Sequence, residues 1–188
     1  MNTRTMRSLL LLVLVATLAA CGTTDTKQAA EPKAMEMRNR IRTMEDSLFN
    51  SSLFDQRNAQ ALLDVYKAYA TALPLDSMAP EYLFRAAGVA RSMKDPQQSV
   101  FLYDRVLSDY PGWYKLVDVY YLKAFVIDTD LGQKGEAKQA YETVINRYPD
   151  HPFAEQARLS IENLPYTNEE LIEKFQRMSE EQEAKAAQ

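Results

Sequence analysis

Cys21 and His151 each occur once in the 188 residues, so their chemistry can be weighed residue by residue. One thiol excludes an internal disulfide, and one thiol with one imidazole supplies no Cys-rich or His-cluster metal site. His151 stands in Asp150-His151-Pro152. A serine-type hydrolase needs such an imidazole held by a carboxylate and aimed at a serine on a strand-to-helix elbow, beside an oxyanion loop. The sequence encodes neither, and a histidine next to a proline at a helix start is expected to be structural. Leu131-Gly132-Gln133-Lys134-Gly135-Glu136 holds two glycines and a lysine. It lacks the spacing and the Lys-Ser/Thr ending of a phosphate loop, and Gly132 is expected to cap a helix C-terminus. Glu169-Glu170 and Glu180-Glu181 are adjacent along a helix, so neither pair faces itself as an acid and base would. No catalytic residue, metal ligand or dissociable cofactor is expected, and an enzyme acting on peptidoglycan is the remotest reading.

Chemistry of another kind surrounds Cys21. Arg4 and Arg7 precede an apolar run from Leu9 to Ala20, which ends in Leu18-Ala19-Ala20-Cys21. The run is too short to span a bilayer, which needs about 20 residues, and it has the three parts of a secretory signal peptide. The tetrad resembles the lipobox of bacterial lipoproteins. That resemblance implies cleavage after residue 20, with a diacylglycerol and an N-acyl chain carried on Cys21. Several acyl chains on one residue anchor firmly, since each buried methylene adds about 0.8 kcal/mol. Gly22 stands where many inner-membrane lipoproteins have aspartate, which implies the outer membrane. Asp25 is the only acid near the cysteine, where the Bacteroidetes surface-export signal would be an acidic cluster, so a periplasm-facing position is expected.

Loss of Arg4 and Arg7 takes the net charge from −4 to −6. Residues 27–42 carry Lys27, Lys33, Arg38, Arg40 and Arg42 against Glu31 and Glu36, a local +3. That patch lies near the anchor, where anionic headgroups would meet it; a solvated linker and helix face is the alternative. The acidic remainder gives nucleic acid no electrostatic footprint.

The elements that carry these residues are helical. Apolar residues are 46% and charged residues 26%, which suits a packed core, and five glycines against about 13 at average usage disfavour turn-dense β folds. Residues 21–34 are small and polar, as in a flexible tether. Beyond them, Leu62, Val65, Tyr66, Tyr69 and Leu73 fall at helical spacing, as do Val100, Tyr103, Leu107 and Tyr110, and Ala137, Tyr141, Val144 and Tyr148. Prolines 74, 80, 96, 111, 149, 152 and 165 lie between the periodic runs. The pattern predicts an all-α domain over 35–188 with eight helices, near 35–49, 57–73, 80–93, 96–110, 114–130, 134–148, 152–163 and 168–184. Thr167 and Glu170 are placed for a capping box at the last.

The chain also echoes itself. Slid along its own length, it lays Ser99 on Ala137, Tyr103 on Tyr141, Val106 on Val144 and Tyr110-Pro111 on Tyr148-Pro149. A slide shorter by a single position lays Tyr66 on Tyr103 and Pro74 on Pro111. Small residues permit close helix crossing, the aromatic fills the gap between hairpins, and proline ends the second helix. Residues 80–111 resemble one tetratricopeptide repeat, with Leu83, Ala86, Ala87, Ala90, Ser99, Tyr103, Val106 and Pro111 at signature positions. Residues 118–149 resemble a second, with Ala124, Ile127, Ala137, Tyr141, Val144 and Pro149, and 57–74 a half repeat. Two departures are expected there: Gly112–Val117 lengthens the first helix, and Leu131-Gly132 lengthens the following turn by one residue. The resemblance implies a solenoid of helical hairpins. With the lipobox it is similar to the small tetratricopeptide lipoproteins of Bacteroidetes, more distantly to the repeat lipoprotein of the outer-membrane β-barrel assembly machinery, and to the periplasmic coordinator of the Tol–Pal system.

Tyr110, Trp113, Tyr114, Tyr120, Tyr121 and Phe125 cluster in one stretch, and the helix that follows Trp113 is apolar on nearly every side, so it must be covered on more than one face. In tetratricopeptide arrays the first helices line a concave groove. The resemblance then assigns Phe84, Gly88 and Arg91, with Tyr121, Phe125 and Asp128, to that groove, where aromatics and arginine would anchor a protein or peptide of the cell envelope. Two alternatives stand beside partner binding. The final helix, through Leu171, Ile172, Phe175 and Met178, packs over the cluster; or the protein self-assembles, pairing Met37, Ile41, Met44 and Leu48 between chains.

Overall fold

The residue before a proline is pushed out of the α region by the ring, and this steric fact organises the whole chain. Leu73, Tyr110 and Tyr148 precede Pro74, Pro111 and Pro149, and their backbones adopt nearly one conformation, with φ of −135°, −132° and −137° and ψ of 58°, 57° and 56°. Each donates its N–H to the carbonyl four residues back, at 2.9, 3.1 and 2.9 Å, and then the chain turns.

The computed structural model describes residues 24–51 and 53–186; Cys21 and the signal segment lie outside them. Among the described residues are eight helices and no strand: α1 Thr24–Phe49, α2 Gln56–Ala72, α3 Ala79–Ser92, α4 Pro96–Asp109, α5 Leu116–Thr129, α6 Lys134–Arg147, α7 Pro152–Asn163 and α8 Asn168–Ala186. Starts are capped from the side chain. Asp55 accepts from the N–H groups of Arg57 and Asn58 at 2.8 and 3.0 Å, and Asp95 from Gln98 at 2.9 Å with Pro96 behind it. His151 Nδ1 accepts from the Phe153 N–H at 3.1 Å, which makes the lone histidine an N-cap. Thr167 and Glu170 form the reciprocal capping box. Gly132 takes a positive φ after α5, as expected of a C-cap, while Lys94 supplies the same left-handed turn after α3.

One correction to the sequence expectations has a clear cause. Gly112–Val117 does not lengthen a helix: α5 begins at Leu116 and has 14 residues, as α3 does. Trp113 and Leu116 instead donate backward to the carbonyls of Tyr110 and Trp113, giving two successive turns that absorb the insertion. The described part of the expected linker, from Thr24, runs into α1, since its Lys, Gln, Ala and Glu residues are good helix formers, and it keeps the character of a linker. Pro32 interrupts that helix's hydrogen-bond ladder, and of residues 31–36 only Ala34 is buried.

α1 also completes the half repeat. Ile41 and Leu48 are buried, and Met37 and Met44 pack beside them against α2, so this stripe is spent within the chain and is not free for pairing between chains. Each hairpin then packs on the next. Leu83, Ala86, Ala87, Ala90, Ser99, Tyr103, Val106, Ala124, Ile127, Ala137, Tyr141 and Val144 are all buried, whereas Pro111 and Pro149 sit exposed in the turns. The core falls into two clusters that meet on α5. Val119 and Val126 belong to the first, with α1–α4, and Val117, Ala124 and Ile127 to the second, with α6 and α7. That double allegiance explains why α5 is apolar on nearly every side.

Ser99 occupies the position that Ala137 holds in the next repeat, and its buried Oγ has no hydrogen-bond partner among the described residues. Ser99→Ala is therefore expected to stabilise the fold by about 1 kcal/mol, since an unpaired buried hydroxyl costs about that much. Urea unfolding of the pair of proteins reads the difference directly.

Candidate functional site

The first helices of successive hairpins, which the resemblance assigns to the groove, stand side by side. α1 runs parallel to α3: Arg38 meets Asp76 just before α3 at 3.5 Å, Glu45 meets Arg85 at 2.7 Å, and Asp46, Phe49 and Asn50 stand opposite Gly88, Val89 and Ser92. Between the two helices lies an open cleft of about 610 Å³, with Gly88 in its wall where a side chain would fill the space, and with Phe49 on its rim, 64% exposed.

A charge network runs beneath the cleft. Tyr66 donates its hydroxyl proton to Glu45, Arg85 bridges Glu45 and Glu81, and Lys115 closes on Glu81 at 2.8 Å. Three successive hairpins are thereby joined through four charges and one phenol. Burial and the Glu45 carboxylate push the Tyr66 phenol well above its usual value. Burial alone would raise Glu81 too, but hydrogen bonds from Lys115 and Arg85 outweigh it and hold the carboxyl below its usual 4.5. A carboxyl lowered by folding contributes stability that is complete above the unfolded value and is lost as pH falls through the folded one. Glu81→Gln is accordingly expected to flatten the fall in unfolding free energy on acidification from about pH 5 downward, as measured by urea titration across that range.

The six groove candidates divide. Arg91 and Phe125 come together, the guanidinium lying 4.8 Å from the ring centroid while it also pairs with Asp130, which that pairing holds below its usual value. Gly88 lines the cleft described above. Phe84 instead packs between the rings of Tyr103 and Trp113, at 5.9 and 5.6 Å. Tyr121 stacks flat on Phe153 of α7 at 4.6 Å, and Asp128 accepts from the Tyr141 hydroxyl at 3.3 Å. Burial raises Asp128 above its usual value. All six side chains or positions are half-buried.

The cover over Tyr121 therefore comes from Phe153 and not, as the alternative expectation had it, from the final helix. α8 is tied to the end of α7 by Lys174, which reaches Glu162 and Asn163 at 2.9 and 3.2 Å, and it leaves Ile172, Phe175 and Met178 exposed. Sequence reasoning missed Glu45, Phe49 and Arg85. The available signal was the amphipathic stripe of α1 itself, which had to face some neighbour and so bring its own flank to the groove. Among the described residues no three His, Cys, Asp or Glu side chains are grouped to hold a metal ion, and no helix is long and apolar enough to cross a membrane.

Comparison with curated proteins returned no match. The family model described as a tetratricopeptide repeat matches residues 81–112 and 113–151. These spans take in α3 with α4 and α5 with α6, the two hairpins whose signature residues are buried as the repeat requires. The chain thus carries tetratricopeptide repeats, set in an all-α solenoid of helical hairpins, the architecture of a protein–protein interaction scaffold.

Proposed function

We propose that the protein is a membrane-tethered scaffold that holds a protein or peptide of the cell envelope against its concave face, as a periplasm-facing lipoprotein of the outer membrane, anchored by acyl chains on Cys21. The observation that carries the binding role is the cleft between α1 and α3, which among the described residues is open beside an exposed Phe49. The Arg91–Phe125 pair extends the same face onto α5, and arginine and aromatic side chains are the usual energetic anchors of interfaces. The envelope address rests on the signal segment and on the lipobox-like Leu18-Ala19-Ala20-Cys21. Scaffolding rather than catalysis fits a chain whose histidine caps a helix and whose best-placed carboxylates are neutralised by arginine and lysine.

A photo-crosslinking residue placed at Phe49 or Phe125 in cells tests the binding role, with the exposed Phe101 on α4 as the control on the convex side. A discrete adduct from the first two positions and none from the third supports a concave partner; equal yields from all three would sink it. Labelled fatty acid incorporated by the native chain and not by Cys21→Ser tests the anchor.

A second reading, self-assembly, is favoured by one observation: the stripe Ile172, Phe175 and Met178 on α8 is exposed, with no cover among the described residues. Sedimentation of the acyl-free protein with and without residues 168–186 decides it, and a monomer at every concentration rules it out.

A further inference from the structure

The turns that precede α3 and α5 form one edge of the solenoid, and beside the exposed Ser77 they present large apolar side chains. Leu75 is 99% exposed and Tyr114 79% exposed. Between them lies a cleft of about 470 Å³ whose walls are Pro74, Pro80, Tyr110 and Trp113, with Asp76, Ser77 and Asp109 at its polar side. Water-facing turns ordinarily carry polar side chains, so an edge of leucine, proline, tyrosine and tryptophan wants a different surrounding.

Direction along α1 identifies it. Because α1 is parallel to α3 and Arg38 rests on Asp76, the N-terminal half of α1 leaves the domain at this same edge. From Arg38 back to Thr24 the helix runs about 21 Å, and Cys21 follows at once. Pro32 interrupts the ladder within that stretch, which gives the lead-in a place to bend and lie along a surface. The exposed apolar residues of the opposite edge, Leu53 and Phe54, follow the far end of α1, away from Cys21.

Electrostatics point the same way. Every acid around the cleft has a basic partner: Asp76 with Arg38, Asp109 with Arg105, and Glu81 with Lys115. The Lys115 ammonium also lies 5.7 and 5.5 Å from the centroids of the Trp113 and Tyr114 rings. The edge is close to neutral although the mature chain is acidic, and so is the lead-in, where Lys27 and Lys33 stand against Asp25, Glu31 and Glu36. Tyr and Trp rings with a polar atom at one end are suited to the headgroup region of a bilayer. A protruding leucine is accommodated by lipid more readily than by a rigid partner.

We infer that this edge, through Leu75, Trp113 and Tyr114, rests in the headgroup region of the membrane that holds the anchor, so that the concave face stands in a fixed orientation above the lipid. The inference rests on the anchored reading given above and goes beyond it, since a tether alone leaves orientation free.

Trp113 is the only tryptophan of the chain and lies at the proposed contact, so its emission is the probe. The chain from Cys21 to Gln188 is coupled through its single thiol to a maleimide phospholipid in vesicles of phosphatidylethanolamine and phosphatidylglycerol. Parallel vesicles carry bromine on the acyl chains. The expected result is a blue shift of Trp113 and loss of emission in the brominated vesicles. Leu75→Glu with Tyr114→Glu should abolish that loss at unchanged helical circular dichroism. Trp113→Phe with Phe54→Trp, reporting from the opposite edge, should show none. Equal emission in both vesicles overturns the inference, as does quenching that persists in the glutamate variant or appears at position 54. A shift of Trp113 produced by a proline-rich peptide in free solution, without quenching in vesicles, would reassign the cleft to a peptide and overturn it too. Because coupling imposes the anchor chemically, failure here leaves the lipidation reading standing, and failure of fatty-acid labelling leaves this result unaffected.

Discussion

Tyr141→Ala is expected to remove about 3–5 kcal/mol and to unfold only part of the molecule. The side chain is fully buried and is the largest in the second core cluster, against the Tyr121 ring at 5.8 Å. Deleting a buried aromatic side chain costs about that much through lost transfer energy and the cavity left behind. A folded domain has only about 5–15 kcal/mol in total. The loss falls unevenly because hairpin arrays are held by nearest-neighbour contacts. α6 and α7 depend on the second cluster alone, whereas α5 keeps Val119 and Val126 in the first. Hydrogen exchange read by mass spectrometry should therefore show faster exchange across 134–163, with α2–α4 still protected. A uniform rise along the whole chain would show instead that the two clusters unfold as one unit.

Tyr66→Ala should do comparable damage at the other end. Tyr66 is fully buried, its ring stacks on Tyr82 at 5.5 Å, and its hydroxyl donates to Glu45. The alanine variant again forfeits about 3–5 kcal/mol, and it loosens the hold of α2 on α1, so exchange should accelerate first in residues 37–49. Tyr66→Phe separates the two contributions. It keeps the stack and loses one hydrogen bond to a charged acceptor, worth about 1.5 kcal/mol, while Arg85 still holds Glu45. Should the phenylalanine variant fall as far as the alanine variant, the polar contact and not the ring would be what fastens α1. That result matters for the proposed role, because the open cleft exists only while α1 stands parallel to α3.

Much of the architecture was legible because the repeat is written in local rules. Proline after a periodic run ends a helix wherever the fold places it, so Pro74, Pro111 and Pro149 announced three equivalent turns, and the structure gives them three near-identical backbones. Small residues at 86, 87, 90, 124 and 137 announced close crossings by their size. Residues 112–117 were misjudged because Trp113, Tyr114 and Lys115 are compatible with either a longer helix or a turn. The choice was made by Lys115 reaching Glu81 on the preceding repeat and by Trp113 packing on Phe84. Those contacts join one repeat to the next, beyond the reach of any local signal.

The groove was legible only in outline. Helical spacing places Phe84, Gly88 and Arg91 on one stripe, and likewise Tyr121, Phe125 and Asp128, but a stripe on a first helix has two flanks as well as a crest. Phe84 packs on α4 and the turn before α5, Arg91 leans to α5, Gly88 borders α1, and Tyr121 turns toward α7.

Taken alone, the sequence determined what depends on neighbours a few residues away: helices and their caps, the proline turns, the repeat register, and the small and aromatic residues that must be buried. Tertiary structure decided what depends on how successive hairpins rotate against one another. It completed the first hairpin with α1, opened the cleft beside Gly88, covered Tyr121 with Phe153, and kept α8 off the face it was a candidate to fill. The physical reason is that helix formation is governed by backbone sterics and hydrogen bonds within one turn, whereas the flank a side chain finally occupies is set by packing between helices that the chain brings together from far apart.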